Sequence, residues 1–269
     1  MMNRLRAELE LFWLALGFFS RIPVPANLDF SAKKLNQSCR YFPVVGWLIG
    51  GCGSAVYYVT QLYFSVDIAI LFVMLTGVLL TGAFHEDGLI DSADGLGGGW
   101  TREQKLMIMK DSRIGSYGSI AIWFVLAIKF ALLSSYSDIN VSSYNNMSVS
   151  SYTSIMLALF IAHPLSRTVA TVMMFISPYV RETADTKSKP VVEPKHNSDL
   201  VISLLLGLLP LLLLPELILP MLFALVIFVF CFRHFVHKQV GGITGDLLGL
   251  AQQLSELLIY MVLIIGLQG

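Results

Sequence analysis

The residues most able to do chemistry are acidic and close together. From Phe84 to Gly99 the chain carries His85, Glu86, Asp87, Asp91 and Asp94, with Gly88 and Gly95 set among them and Gly97-Gly98-Gly99 behind. Asp87, Asp91 and Asp94 are spaced four and three apart, which puts them on one face of a helix as near neighbours. Three like charges there repel. The arrangement calls for a cation, and hard oxygen donors with room for water suit Mg²⁺ or Mn²⁺ bound together with a phosphate-bearing substrate. A single DxxxD pair would read as a helix end facing water. Three aspartates, interleaved glycines and the adjoining His85 read instead as a metal and phosphate site. Each glycine lowers helix propensity by about 1 kcal/mol relative to alanine, which makes sense where backbone or ligand must approach closely.

Two further clusters join this one. Lys110-Asp111-Ser112-Arg113-Ile114-Gly115-Ser116-Tyr117-Gly118 sets a carboxylate between two cations beside a glycine-rich turn. Asp111 is a candidate metal ligand or general base; Lys110 and Arg113 are candidate phosphate binders, Arg113 in bidentate fashion. Anchoring on the basic side of a membrane is the plainer reading of the two cations, and their placement beside Asp111 argues for the site. The third cluster, Gly241-Gly242-Ile243-Thr244-Gly245-Asp246-Leu247-Leu248-Gly249, offers the amides at Thr244 or Gly245 for an anion and Asp246 as a further carboxylate. On spacing alone it also reads as a helix N-cap after a flexible turn.

The elements that must position these residues are membrane helices. Of 269 residues 55% are hydrophobic and only 13% charged, against roughly a quarter charged in soluble chains. Eighteen basic and eighteen acidic side chains leave no net charge, and no basic run suggests nucleic acid as a partner. Cys39, Cys52 and Cys231 form no CxxC pair and read as packing residues. Apolar runs predict seven spans, near 42–60, 68–84, 118–134, 154–176, 199–214, 216–232 and 247–267, in an all-α bundle. The short segment Leu11–Ser20 reads as an interfacial helix, and the Ser, Asn and Tyr-rich stretch 135–153 as a loop.

Sixteen of the eighteen basic residues fall on alternate connections, which predicts the amino terminus and the three clusters on the cytoplasmic side and the carboxyl terminus outside. The chain thus reads as one membrane domain over 1–269, with 1–41 as a cytoplasmic interfacial segment and the connections 85–117 and 177–198 forming the site. Lys129 and Arg167 fall inside spans, where charge faces a bundle interior or a polar cavity. For Lys129, snorkelling is an equal alternative; Arg167 lies beside His163 and Pro164 in a span dense with Ser and Thr. Gln252, Gln253 and Glu256 make a polar face on the last span, turned to the bundle.

Taken together, these motifs resemble the cobalamin synthase family, the adenosylcobinamide-GDP ribazoletransferases. The resemblance runs through Ser20-Arg21-Ile22-Pro23-Val24-Pro25, Phe42-Pro43-Val44-Val45-Gly46, HxDGLxDxxDG at 85–95, MKDSRIGSYG at 109–118 and GGxTGDxLG at 241–249. Departures from the family pattern are Leu250 and Gln253, where a small residue and a glutamate are expected. Tyr179-Val180-Arg181-Glu182 is similar to a family loop but lacks its following glycines, so Arg181 carries over as a substrate-binding residue only weakly.

The resemblance implies transfer of adenosylcobinamide from its GDP-activated form to α-ribazole or its 5′-phosphate, with release of GMP. It implies Asp87, Asp91 and Asp94 on one or two Mg²⁺ ions, and Asp111 and Asp246 at the reacting groups. His85, Lys110, Arg113 and Thr244 would contact substrate. The bilayer is the expected environment, with a second copy or other membrane-bound enzymes of the pathway as further partners. Two other classes compete. A CDP-alcohol phosphotransferase also clusters aspartates at a membrane, but its DGxxAR continuation is replaced here by Leu96-Gly97-Gly98. A corrinoid or divalent-cation carrier would place its charges near the bilayer midplane.

Overall fold

In the computed structural model, residues 2–138, 141–144, 147–149, 151–180 and 196–268 are described. The chain is all-α: α1 (Met2–Phe19), α2 (Ala32–Ser38), α3 (Phe42–Thr60), α4 (Val66–Thr81), α5 (Phe84–Gly98), α6 (Arg102–Ile108), α7 (Ser116–Ser135), α8 (Ser151–Ile176), α9 (Asn197–Leu208), α10 (Ile218–Val240) and α11 (Gly245–Gln268). The stretch read as a plain loop, 135–153, contains a 3₁₀ turn, Tyr136–Asp138, and a small antiparallel hairpin that pairs Val141 with Val149 and Tyr144 with Met147.

Among the described residues five helices are long and apolar enough to cross a membrane, and six if α4 and α5 count as one broken span. This is fewer than the seven expected, for two reasons. The run 68–84 does not continue straight: Gly82 and Ala83 both take positive φ, 65° and 58°, and α5 leaves α4 at 87°. The run 199–214 makes only a short helix, because Pro210 and Pro215 turn its end into two 3₁₀ segments, Leu209–Leu213 and Pro215–Leu217. The multi-pass helical bundle itself stands.

The bundle is built around α8, which packs most extensively on α3 and also on α11 and α9. Small residues let the backbones meet, as expected where lipid tails supply no hydrophobic force between helices. A Cβ at Gly46 would lie 2.6 Å from the His163 carbonyl oxygen, and one at Gly50 would lie 2.6 Å from that of Leu159. Ser54 Oγ crosses the same interface to donate to the Met156 carbonyl at 3.0 Å. At the end of the bundle where α1 lies, its apolar face (Leu11, Leu14, Ala15, Leu16, Phe19) is buried rather than free. Arg40 pairs with Asp199 at 2.9 Å, fixing the start of α9 to the turn that leads into α3.

Candidate active site

The three sequence clusters meet at one end of the bundle, where α5 crosses the first turns of α11. The crossing depends on two glycines. A Cβ at Gly88 would lie 2.9 Å from the Asp246 carbonyl oxygen and 3.3 Å from Gly249 Cα, and one at Gly249 would lie 3.0 Å from the His85 carbonyl oxygen. Any larger residue would push the two helices apart. Asp87 and Asp91, one turn apart on α5, adjoin this crossing, and Asp246, in the first turn of α11, meets it through its backbone against Gly88. Asp87 is exposed and Asp91 and Asp246 are half-buried.

Asp94 continues the same stripe, yet its surroundings differ. It is buried, and its two oxygens accept the amides of Gly115 at 2.7 Å and Gly118 at 2.8 Å. These are the first amides of α7, which has no side-chain cap of its own, so Asp94 caps that helix from α5 and satisfies N–H groups that would otherwise be orphaned. Gly115 and Gly118 have a specific reason to be glycine: a Cβ at either would fall 2.5 Å or less from an Asp94 carboxylate oxygen. With both oxygens engaged in this way, Asp87 and Asp91 are the better candidates on α5 for an ion.

The MKDSRIGSYG segment is thereby fastened to α5, and its charged residues face water. Asp111 and Arg113 form an exposed pair, with Nη2 to Oδ2 at 2.6 Å and Nε to Oδ1 at 3.1 Å. The Arg113 amide also donates to Asp111 Oδ1 at 3.1 Å. The guanidinium, and then the amide, hold the Asp111 carboxyl below its ordinary value, which makes it a weaker base. Lys110 is exposed beside the pair. Helix α6 opens with a capping box, Thr101 with Gln104. Its cations turn the other way: Arg102 Nε donates to the Val240 carbonyl at 2.7 Å and Lys105 Nζ to Gln239 Oε1, at the negative end of α10.

Thr244 is fully buried and is the N-cap of α11, its Oγ1 accepting the Leu247 amide at 3.2 Å and donating to Asp246 Oδ2 at 3.3 Å. It orients Asp246 and is not presented to a soluble substrate. The turn before it is held to the segment 177–180 by Ile243 N donating to Pro178 O at 2.9 Å and Val180 N to Ile243 O at 3.0 Å. Arg181 lies outside the described residues. His85 is buried under the crossing, parallel to the Phe42 ring at 5.7 Å, and its Nε2 has no hydrogen-bond partner among the described residues. It lines the bundle side of the site and is not at the water-facing surface of α5.

The donor set at the crossing is carboxylate oxygen, which suits Mg²⁺ or Mn²⁺. Among the described residues, no three His, Cys, Asp or Glu side chains converge closely enough to hold a metal ion unaided. The fit is to an ion held by one or two carboxylates, with substrate phosphates and water completing its shell, which is the usual mode for Mg²⁺.

Beneath the crossing, inside the bundle, lies a second polar group that the motifs do not include as a site. Lys129 Nζ meets Glu256 Oε1 at 3.1 Å and Gln253 Oε1 at 3.1 Å. Gln253 Nε2 donates to Glu86 Oε1 at 3.1 Å, Gln252 Nε2 to Glu256 Oε2 at 2.7 Å, and Tyr260 OH to Glu256 Oε1 at 3.2 Å. Arg167, 1% exposed, donates to the His163 carbonyl at 2.9 Å. These groups line a small cavity shared by α3, α4, α5, α7, α8 and α11. The intramembrane charges of the sequence were its signal; that they join one network was not visible there.

Comparison with known proteins identifies the family of the sequence. A family model described as CobS, cobalamin-5-phosphate synthase, matches residues 11–264. Proteins named adenosylcobinamide-GDP ribazoletransferase are similar along nearly their whole length: one from Shewanella pealeana is 44% identical, with 98% of each chain covered. One from Vibrio cholerae is 44% identical, covering 98% of this chain and 97% of its own. One from Shewanella halifaxensis is 45% identical, with 96% of each covered. No solved structure matches. By its sequence along almost the full length, and with the family's motifs gathered at one helix crossing, the chain belongs to the cobalamin-5-phosphate synthase family.

Proposed function

We propose that this protein is an adenosylcobinamide-GDP ribazoletransferase that uses Mg²⁺, with Mn²⁺ as a substitute, and works at the cytoplasmic side of the inner membrane with its amino terminus inside. The observation that supports the reading is the Gly88–Gly249 crossing, where the backbones of two distant motifs, the one carrying Asp87 and Asp91 and the one carrying Asp246, pack closely. The names of the relatives supply the substrates. The basic residues on alternate connections support the sidedness.

In this reaction a ribazole hydroxyl oxygen bonds to the phosphorus that carries cobinamide, the bond from that phosphorus to the GMP oxygen breaks, and the hydroxyl proton departs. Such a displacement needs charge neutralisation and in-line positioning more than covalent participation by the protein. Asp87 and Asp91 would hold the ion, which when bound supplies a positive charge on the diphosphate. Arg113 and Lys110, exposed on a loop fastened through Asp94, steady the phosphate of the leaving GMP. Asp111 orients Arg113 through their bidentate pair. Asp246 lies nearest α5 from the other motif and receives the hydroxyl proton, with Thr244 fixing its direction.

The test is to incubate purified protein in detergent with adenosylcobinamide-GDP and α-ribazole, with Mg²⁺ or EDTA, and to separate products by chromatography. GMP and cobalamin should form together, and only with metal. A folded, metal-replete sample that forms neither would overturn the reading in favour of a carrier. Products formed equally in EDTA would remove the metal from it.

A further inference from the structure

The buried network has a direct link to the site. On α11, Asp246, Gly249, Gln253 and Glu256 are spaced three, four and three apart, so they share one stripe. The upper two residues meet the site and the lower two meet the buried charges. Helix α5 touches this stripe twice: Gly88 lies against Gly249, and Glu86 accepts from Gln253. Two contacts on one helix fix its direction as well as its distance.

α5 needs that support, because its own start provides little. It has no side-chain cap, and it follows two residues of left-handed backbone, Gly82 and Ala83. For a non-glycine such as Ala83 that conformation is strained and persists only when the surroundings impose it. Gln253 is held from the other side. Its Oε1 accepts from Lys129, which is paired with Glu256, and its Nε2 also donates to Gln252 Oε1 at 3.0 Å. Lys129 and Arg167 face Glu86 and Glu256, so the charges around the cavity balance.

We propose that Gln253, anchored by the buried Lys129–Glu256 pair, is a positioning residue that sets the direction of α5 through Glu86 and so fixes Asp87 and Asp91 relative to Asp246. The catalytic half of this statement rests on the transferase reading; the mechanical half does not. It also gives the glutamine a role at a position where the family pattern leads one to expect a glutamate: a neutral donor suits the carboxylate of Glu86.

The experiment compares wild type, Gln253→Ala and the exchanged pair Glu86→Gln/Gln253→Glu, which returns the hydrogen bond with donor and acceptor reversed and keeps the net charge. Amide hydrogen exchange by mass spectrometry reports on α5 and on α8 separately. In Gln253→Ala, exchange over 84–98 should rise while α8 is unchanged. Turnover should fall by about 10- to 100-fold, the range seen for outer-shell supports of metal sites, and the Mg²⁺ concentration for half-maximal rate should rise. The exchanged pair should restore both. Unchanged exchange over 84–98 in Gln253→Ala overturns the proposal, as does loosening of α5 and α8 alike without restoration by the pair. If wild type forms no product, the exchange data still decide the coupling, and the failure belongs to the transferase reading.

Discussion

The two polar regions of this protein hold comparable charges in opposite ways. At the α5–α11 crossing the carboxylates are of one sign, stand at or near water, and are backed by an exposed ion pair. Inside the bundle the charges are of both signs and largely buried, and Lys129 and Glu256 bond directly to one another. Like charges gathered at a surface favour the binding of something of opposite sign, so that region suits a ligand. Opposite charges buried together offset each other, and separating them is costly, so that region is a frame. In both, position in the fold decides the role more than residue type does: Asp94, from the same motif as Asp87 and Asp91, belongs with the frame.

The comparison breaks most sharply at Asp91. Asp91→Asn removes a charge from the ligand-receiving region and should lower turnover by about 10³-fold while the detergent-solubilised protein keeps its thermal unfolding midpoint. Wild-type turnover would remove Asp91 from the site. Asp94→Ala, three residues on, should do the reverse and lower the unfolding midpoint, because two α7 amides lose a charged acceptor worth about 1.5–3 kcal/mol each. If Asp94→Ala left stability intact and abolished metal response, Asp94 would rejoin the metal ligands.

Next in size is the frame itself. Glu256→Leu leaves Lys129 buried without its partner and should destabilise by about 3–5 kcal/mol. Lys129→Leu/Glu256→Leu together should recover much of that loss in reversible unfolding, since an apolar pair leaves no charge stranded. A double variant as unstable as the sum of the singles would mean that these residues act independently and do not form a frame.

The sequence revealed the ligand-receiving region better than the frame, and the reason is separation along the chain. Helix α5, its glycine end, the capping box of α6 and the span at 42–60 follow from periodicity and local chemistry, and the structure has each of them. The turn at Gly82-Ala83 lies within a continuous apolar run, and nothing local distinguishes a straight helix from one bent by 87°. Asp94 reaches amides 21 and 24 residues away, and Gln253 reaches a side chain 167 residues away. Spacing within one helix says which face a residue occupies; which partner waits there is set by how helices cross. Thr244 shows the same limit: the pattern allowed both an anion site and a cap, and the Leu247 amide bonded to its hydroxyl shows the cap.

The smallest effect, and the finest test of the difference between the regions, is at Arg113. Its pair with Asp111 is exposed, where ion pairs add little to stability, so Arg113→Ala should leave the unfolding midpoint nearly unchanged, unlike Glu256→Leu. The sign of its pH effect follows from the carboxylate it holds. Asp111 is kept below its ordinary value by Arg113, so the pair is fully formed above the ordinary carboxylate range and is lost as pH falls through the depressed value. Because Asp111 acts on the reaction only by orienting Arg113, the loss of rate at low pH that reports this pair should be absent from Arg113→Ala. The KM for the GDP-linked substrate should rise by up to about tenfold, consistent with one lost bond to a charged group. An acid limb that stays in place would separate Asp111 from the reaction, whereas a large fall in stability would show that this exposed pair, too, belongs to the frame.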